Sequence, residues 1–121
     1  MSSTNRGAKR HKADFYATPP EAVYSLLDRL DLKQFLPPFQ HNTILEPGAG
    51  NGNIVRAVNE YYDNLNWTLL ELRDEEQSVL SGLGEVICPQ DYLTWQTDRR
   101  FRLIIGNPPF SLWREFAERS L

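Results

Sequence analysis

The chain has 121 residues, of which 40% are hydrophobic, and this is the size and apolar content of one domain with a single core. Its apolar runs are only a few residues long, far short of the roughly 20 that span a bilayer, and its first residues contain no apolar signal core. A single cysteine excludes an internal disulfide, and no cysteine and histidine cluster has metal-ligand spacing. We therefore expect a soluble, cytoplasmic protein with no metal site and no membrane partner.

Charge is distributed unevenly along the chain. Residues 1–12 contain four basic and no acidic residues, so the remaining residues carry a charge of −7 within the overall −3. A polar segment of this kind cannot bury a core, and we expect residues 1–13 to form a disordered basic leader before a folded region at 14–121. The leader is suited either to contacts with nucleic-acid phosphates or simply to keeping the chain soluble.

The folded region opens with FYATPPEAV at residues 15–23. Thr18 and Glu21 have the spacing of a capping box, and Pro19 suits the first helical position because it has no N–H to satisfy. The spacing predicts a helix to about residue 30. Its expected inward face consists of Ala22, Val23, Leu26, Leu27 and Leu30.

Short apolar segments then alternate with helical and turn segments. Strands are predicted at residues 43–45, 67–70, 86–88 and 101–105, and helices from about residue 53, over 74–80 and from 111 onward. This alternation predicts an α/β fold, a partial doubly wound parallel sheet of about four strands with helices on both faces. Ligands of such sheets bind beyond the carboxyl ends of the strands. The polar residues at those ends are Glu46, Glu71, Asp91 and Asn107.

A glycine-rich turn, GAGNG at residues 48–52, follows the first predicted strand. Its glycines allow a ligand to approach the backbone closely, and the helix that follows favours an anionic group such as a carboxylate. Glu71, at the end of the next strand, is placed to accept hydrogen bonds from a ribose, and Asp91 from an adenine amine. Together they predict a site for adenosine with an amino-acid tail. Each acid also has a structural alternative, as a turn cap for Glu46, a solvated side chain for Glu71 and a turn residue for Asp91.

The sequence NPPF at residues 107–110 follows the last predicted strand. Two consecutive prolines stiffen this loop, so the side-chain oxygen of Asn107 and the carbonyl of Pro108 can point outward together, beside the flat face of Phe110. An aromatic amine is a poor nucleophile because its lone pair is delocalised into the ring. Two fixed acceptors draw its nitrogen toward tetrahedral geometry without an activating base. The structural alternative is a proline-rich turn without chemistry.

With these motifs in order, the chain resembles adenine-specific DNA amino-methyltransferases of the restriction-modification or phage type, over nearly all of residues 14–110. FYATPPEAV resembles the N-terminal cofactor motif, ILEPGAGNGNI the glycine-rich motif, LLELRDE the ribose-binding acid, DYL the adenine-contacting acid and NPPF the catalytic loop. The resemblance implies transfer of a methyl group from S-adenosyl-L-methionine to the exocyclic amine of an adenine flipped out of DNA.

The resemblance also implies a role for each site residue. The methionine end of the cofactor would meet Tyr16 and Thr18, with Glu46, Gly48 and Gly50 in the loop beneath it. Glu71 would hold the ribose and Asp91 the adenine. Asn107 and Pro108 would accept hydrogen bonds from the target amine, and Phe110 would stack on the target base.

One feature departs from the family, whose members continue beyond this loop with three further strands and a region that recognises the DNA sequence. Here only 11 residues follow Phe110. We therefore expect residues 14–121 to be the N-terminal part of a catalytic domain. The chain is then an N-terminal fragment, a truncated gene product, or one piece of a split enzyme in which a second chain supplies the remaining strands along the open sheet edge. Alternatives are a methyltransferase of the same fold acting on guanine in ribosomal RNA or on glutamine in proteins, and a non-catalytic truncated remnant. The element FYATPPEAV favours DNA.

Overall fold

The computed structural model of the protein describes residues 18–37, 42–108 and 110–121, with only the backbone of Phe110 included. The predicted basic leader at residues 1–13 and the predicted site residue Tyr16 lie outside the described residues.

Within the described residues, one parallel sheet has the strand order β3-β2-β1-β4. The strands are β1 (Asn42–Glu46), β2 (Leu65–Leu70), β3 (Glu85–Ile87) and β4 (Leu103–Ile104). Ile44 at the centre of β1 lies opposite Trp67 on one side and Leu103 on the other. All these pairs are parallel, so the carboxyl ends of the strands lie along one edge of the sheet.

Helices cover both faces of this sheet. They are α1 (Pro20–Arg29), α2 (Asn53–Tyr61), α3 (Gln77–Leu80) and α4 (Trp113–Ser120), with 3₁₀ turns at Leu32–Gln34, Asp74–Glu76, Tyr92–Thr94 and Phe110–Leu112. Side chains of a strand point alternately to its two faces, so Ile44 packs into the core beneath α1 and α2. Its neighbour Leu45 packs into a second core on the other face, with Tyr92 of the 3₁₀ turn Tyr92–Thr94 and with Phe116 of α4. The predicted α/β doubly wound sheet is confirmed.

The start of the first helix differs from its prediction. The helix begins at Pro20, and Pro19 before it is extended at φ −62° and ψ 135°. A residue that precedes a proline is kept out of the helical region, which explains why Pro19 cannot be the first helical residue. The predicted capping box is wrong, because no side chain caps this helix and the Thr18 hydroxyl accepts a hydrogen bond from Asn107 instead.

The inward face of α1 is narrower than its sequence predicts. Val23 and Leu27 are buried, whereas Leu26 and Leu30 are 46% and 47% exposed. Helix α1 also meets α2 through Tyr24, whose hydroxyl donates to Glu60 and whose ring stacks on another tyrosine ring of α2. None of the helices in the described part of the chain is long and apolar enough to cross a membrane.

Candidate functional site

A cleft lies beyond the carboxyl ends of the strands, with ≈ 720 Å³ of empty space that is partly open to solvent. The predicted site residues that line it are Thr18, Glu46, Gly48, Gly50, Glu71, Asp91 and Asn107. Pro108 follows Asn107 but does not line the cleft. The side chain of Phe110, like Tyr16, lies outside the described residues. Residues far apart in the sequence therefore meet at one place.

The glycine-rich turn forms the floor of this cleft. Gly50 and Gly52 have left-handed backbone conformations, with φ of 57° and 88°, which glycine adopts without strain. A Cβ on Gly52 would also lie 2.8 Å from a methyl carbon of Leu83. Gly48 is different, because the nearest atom to a Cβ there would be Phe116 Cε2 at 4.0 Å, an ordinary contact distance. The protein itself therefore has room for a side chain at residue 48, which lines the cleft.

Glu71 joins the glycine-rich turn to the end of β2. Its Oε1 accepts a hydrogen bond from the backbone N–H of Gly50 at 2.7 Å. Its Oε2 accepts from the backbone N–H and from Nε of Arg73, at 2.9 and 3.0 Å. The carboxylate is buried, so the alternative that Glu71 is a solvated acid is wrong. Oε1 accepts a single described bond, which leaves it capacity to accept from a ligand hydroxyl.

Arg73 was not singled out as a site residue in the sequence, yet it lines the cleft and holds Glu71 in place. Its guanidinium also pairs with Glu76, where Nη2 lies 3.0 Å from a carboxylate oxygen. The only sequence signal was the mixed charge of ELRDEE, which is equally typical of a solvated helix start. The pairing depends on how the chain turns after β2.

Glu46 ends β1 and is the most deeply buried acid of the cleft, at 1% exposure. Among the described residues, its Oε1 has no hydrogen-bond partner. Burial, and after it the nearby negative charge of Glu71, raise the pKa of Glu46 well above the ordinary value for a carboxyl group. The Oε1 atom of Glu46 therefore caps no turn, contrary to the structural alternative for this residue.

The side chain of Asp91 caps a 3₁₀ turn, and the residue also lines the cleft. Its Oδ1 accepts a hydrogen bond from the backbone N–H of Leu93 at 3.0 Å, which starts the 3₁₀ turn Tyr92–Thr94. The alternative that Asp91 is a turn residue is correct, and its position on the cleft wall adds to that role.

Asn107 reaches the cleft from the loop after β4. Its Nδ2 donates to the hydroxyl of Thr18 at 3.4 Å, and the backbone carbonyl of Thr18 accepts from Nδ2 of Asn53 at 2.9 Å. Thr18 thereby connects the NPPF loop to the start of α2. Because the amide NH₂ group of Asn107 is directed at Thr18, its Oδ1 is the atom left to accept from a ligand. Asn53 was not predicted as part of the site, since nothing in its sequence neighbourhood indicates a contact with residue 18.

Comparison with known proteins gives a similarity that covers part of the chain. No protein-family model matches the chain. The chain is similar to the type II methyltransferase M.CvrRI of Paramecium bursaria Chlorella virus XZ-6E, with 36% identity over 74 residues. The match covers 60% of this chain and 19% of that methyltransferase, so the chain spans about a fifth of its relative's length. The described residues contain no group of histidine, cysteine and acidic side chains that could hold a metal ion.

Proposed function

We propose that this chain carries the cofactor-binding and catalytic residues of an S-adenosylmethionine-dependent methyltransferase that acts on the exocyclic amine of adenine in DNA. The observation that carries the proposal is the position of Asn107, which lines the same cleft as Glu46, Glu71 and Asp91. The similarity to a type II methyltransferase supports methyl transfer as the reaction. DNA as the substrate rests on the resemblance of FYATPPEAV to the N-terminal motif of adenine-specific enzymes.

The cleft has acceptors suited to S-adenosylmethionine. Glu71 Oε1 retains hydrogen-bonding capacity and would accept from a ribose hydroxyl, while Asp91 would accept from the adenine amine. The open space at Gly48 lets the amino-acid end of the cofactor approach the backbone. Thr18 and Glu46 close that end of the cleft. These residues bind and orient the donor, and they exclude water from part of its surface.

When bound, S-adenosylmethionine supplies an electrophilic methyl group. Asn107 Oδ1, with the carbonyl of Pro108, would accept the two hydrogens of the target amine and hold its nitrogen in position for attack. The hydrogen bond from Asn107 Nδ2 to the Thr18 hydroxyl supports this role, because it would leave Oδ1 to face the amine. Transfer of the methyl group to the amine would release one amine proton, which would leave to water. Positioning and preorganised acceptors provide the catalysis.

A second chain belongs to the same proposal. In the described part of the chain β4 pairs with β1 alone, over the two positions Leu103 and Ile104, and its other edge has no strand beside it. Backbone groups on such an edge are available to an added strand. A protein chain that extends the sheet there would also supply the region that reads the DNA sequence.

The test compares the parent chain with Asn107→Ala, using tritium-labelled S-adenosylmethionine and adenine-containing DNA. We expect the variant to lose methyl transfer by at least about 100-fold, because the acceptor that positions the amine is gone, while its affinity for S-adenosylhomocysteine stays within twofold. Asn66→Ala, an exposed change in β2, is the matched control. Transfer at the parental rate by Asn107→Ala would contradict the mechanism. Label that enters ribosomal RNA or protein, and not DNA, would identify one of the alternative substrates.

A further inference from the structure

Trp113 is an exposed tryptophan that follows the NPPF loop. It is the first residue of α4 and lies three residues after Phe110. At 57% exposure it is more exposed than any other aromatic residue whose side chain the structure describes. Single apolar side chains are common on protein surfaces, so exposure alone does not define a site. The site is defined by where this ring lies and by the charge beside it.

Helix geometry puts Trp113 at the rim of the cleft. Leu112 and Phe116 are buried in the second core, and Phe116 also lines the cleft. Residues three apart on a helix are surface neighbours, so Trp113 lies beside Phe116, one turn nearer the start of α4. Side chains of a helix tilt toward its N-terminus, which directs this indole toward the NPPF loop that carries Asn107. Because Trp113 is not itself a lining residue, its ring lies at the edge of the cleft and not within it.

Arg114 places a positive charge against this ring. Its guanidinium carbon lies 5.8 Å from the centroid of the Trp113 ring, within the range of a cation–π contact. In the described part of the chain no carboxylate forms an ion pair with Arg114, although Glu115 is the next residue. The guanidinium therefore keeps its N–H donors for an external anion. An indole with a guanidinium beside it offers a nucleobase a face to stack on and a phosphate a charged donor.

Charge inside the cleft separates the two parts of a nucleotide. Of the described residues that line it, the charged ones are three acids, Glu46, Glu71 and Asp91, and one arginine, Arg73, which already pairs with Glu71. An acidic lining repels phosphate groups, whereas a nucleobase carries no charge. A strand whose target base enters the cleft must therefore keep its phosphates at the rim, where Arg114 lies.

We propose that Trp113 stacks on an unpaired nucleobase beside the target base, and that Arg114 contacts the phosphate next to it. This inference rests on the proposed function, because it takes the bound strand to be the DNA substrate. It differs from the stacking expected of Phe110, which concerns the target base itself. The rim of the cleft then binds a second position of the strand, and the target base is held through its neighbour as well as through the NPPF loop.

Tryptophan fluorescence of the full chain tests the stacking. The other two tryptophans, Trp67 and Trp95, are only 4% and 9% exposed, so a base that stacks on an indole reaches Trp113. The probes are a short single-stranded thymine oligonucleotide with one central adenine, and the same strand with abasic sites on both sides of that adenine. We expect the intact strand to quench the fluorescence and the abasic strand to bind at least about fivefold more weakly. Trp113→Phe should remove the quenching.

The affinity of each variant for the same strand, labelled with fluorescein, is measured by anisotropy. Trp113→Ala should bind at least about fivefold more weakly, and Val79→Ala, at an exposed apolar residue of α3, should bind like the parent. Arg114→Gln should reduce the slope of log affinity against log salt concentration by about 0.7, the value for one phosphate contact with a single strand. Arg29→Gln, at an exposed arginine of α1, should leave that slope unchanged.

The outcomes separate this inference from the proposed function. Equal quenching by the intact and abasic strands, no quenching by either, or parental affinity in Trp113→Ala overturns the role of Trp113 and leaves the cofactor site and Asn107 standing. Quenching by the intact strand in a chain that does not bind S-adenosylhomocysteine supports the nucleobase contact and removes the proposed cofactor site. If Trp113→Ala fails to fold, the comparison of the two strands on the parent chain still decides the question.

Discussion

Replacing Glu71 with alanine should destabilise the chain even in the absence of any ligand. The buried carboxylate accepts from Gly50 and twice from Arg73, so its removal leaves the N–H of Gly50 without this acceptor and breaks one of the two ion pairs of Arg73. Breaking a buried ion pair by deleting one partner costs about 3–5 kcal/mol. One effect offsets part of this cost, because the guanidinium of Arg73 keeps its ion pair with Glu76. We therefore expect a loss near the lower end, about 3 kcal/mol.

Chemical unfolding followed by tryptophan fluorescence measures this loss. Trp67 in β2 is buried at 4% exposure and reports unfolding of the sheet. For a domain of this size a loss of about 3 kcal/mol lowers the urea midpoint by roughly 1–3 M. Glu71→Gln keeps an oxygen for Gly50 but loses the charge, and we expect an intermediate midpoint. Glu75→Ala, on the exposed surface, is the control.

A midpoint for Glu71→Ala equal to that of the parent would refute this reasoning. It would mean that the contacts between Glu71, the glycine-rich turn and Arg73 contribute nothing to the folded state. A weakened ligand affinity in that variant would then report only a lost ribose contact. With the expected destabilisation, the affinity of Glu71→Gln is the better measure of that contact, because the turn retains an acceptor.

Three further predictions test other parts of the cleft. Gly48→Ala should fold with parental stability, since the nearest atom to the added Cβ lies 4.0 Å away. The variant should nevertheless bind S-adenosylhomocysteine at least about tenfold more weakly. Parental affinity would show that no ligand approaches residue 48. Thr18→Val should slow methyl transfer about tenfold, because the side-chain amide of Asn107 loses its hydrogen bond, whereas Thr18→Ser should keep the parental rate. Equal rates for the two variants would exclude a role of Thr18 in positioning Asn107. Because the pKa of Glu46 is raised in the folded chain, the ligand-free parent should lose stability as pH rises above about 4.5, by at most about 1.4 kcal/mol per pH unit. Thermal unfolding of Glu46→Gln should depend less on pH, and the same pH dependence in the two proteins would contradict the buried proton.

The fold was predictable because short apolar segments alternate with amphipathic ones. The strand positions follow from runs such as those around Ile44 and Leu69, which are fully buried, and each predicted strand overlaps an observed one. The strand-end rule then placed Glu46, Glu71, Asp91 and Asn107 along one edge, where the structure also has them. The order of the predicted strands was therefore sufficient to predict that these four residues lie along one edge, and no knowledge of tertiary contacts was needed.

What could not be predicted depends on contacts between distant segments. Thr18 has the sequence pattern of a helix cap, but the helix begins only at Pro20, the second residue of a proline pair. The hydroxyl of Thr18 instead accepts a hydrogen bond from Asn107 of the NPPF loop. Leu26 is 46% exposed although it belongs to the predicted apolar face, because helical periodicity does not encode which part of that face meets the rest of the protein. The lack of a hydrogen-bond partner for Glu46 Oε1 among the described residues also results from tertiary packing. The sequence shows only an acid before a proline and does not indicate how deeply that acid is buried.

Titration of the ¹⁵N-labelled chain with S-adenosylhomocysteine, followed by backbone and side-chain amide resonances, tests whether the cleft at the carboxyl ends of the strands binds the cofactor. We predict saturable shifts at Gly48, Glu71, Asp91 and Asn107, and none at Glu85 and Arg99, which pair with each other at the opposite end of the sheet. Absence of shifts at saturating ligand, or shifts confined to that opposite end, would contradict it.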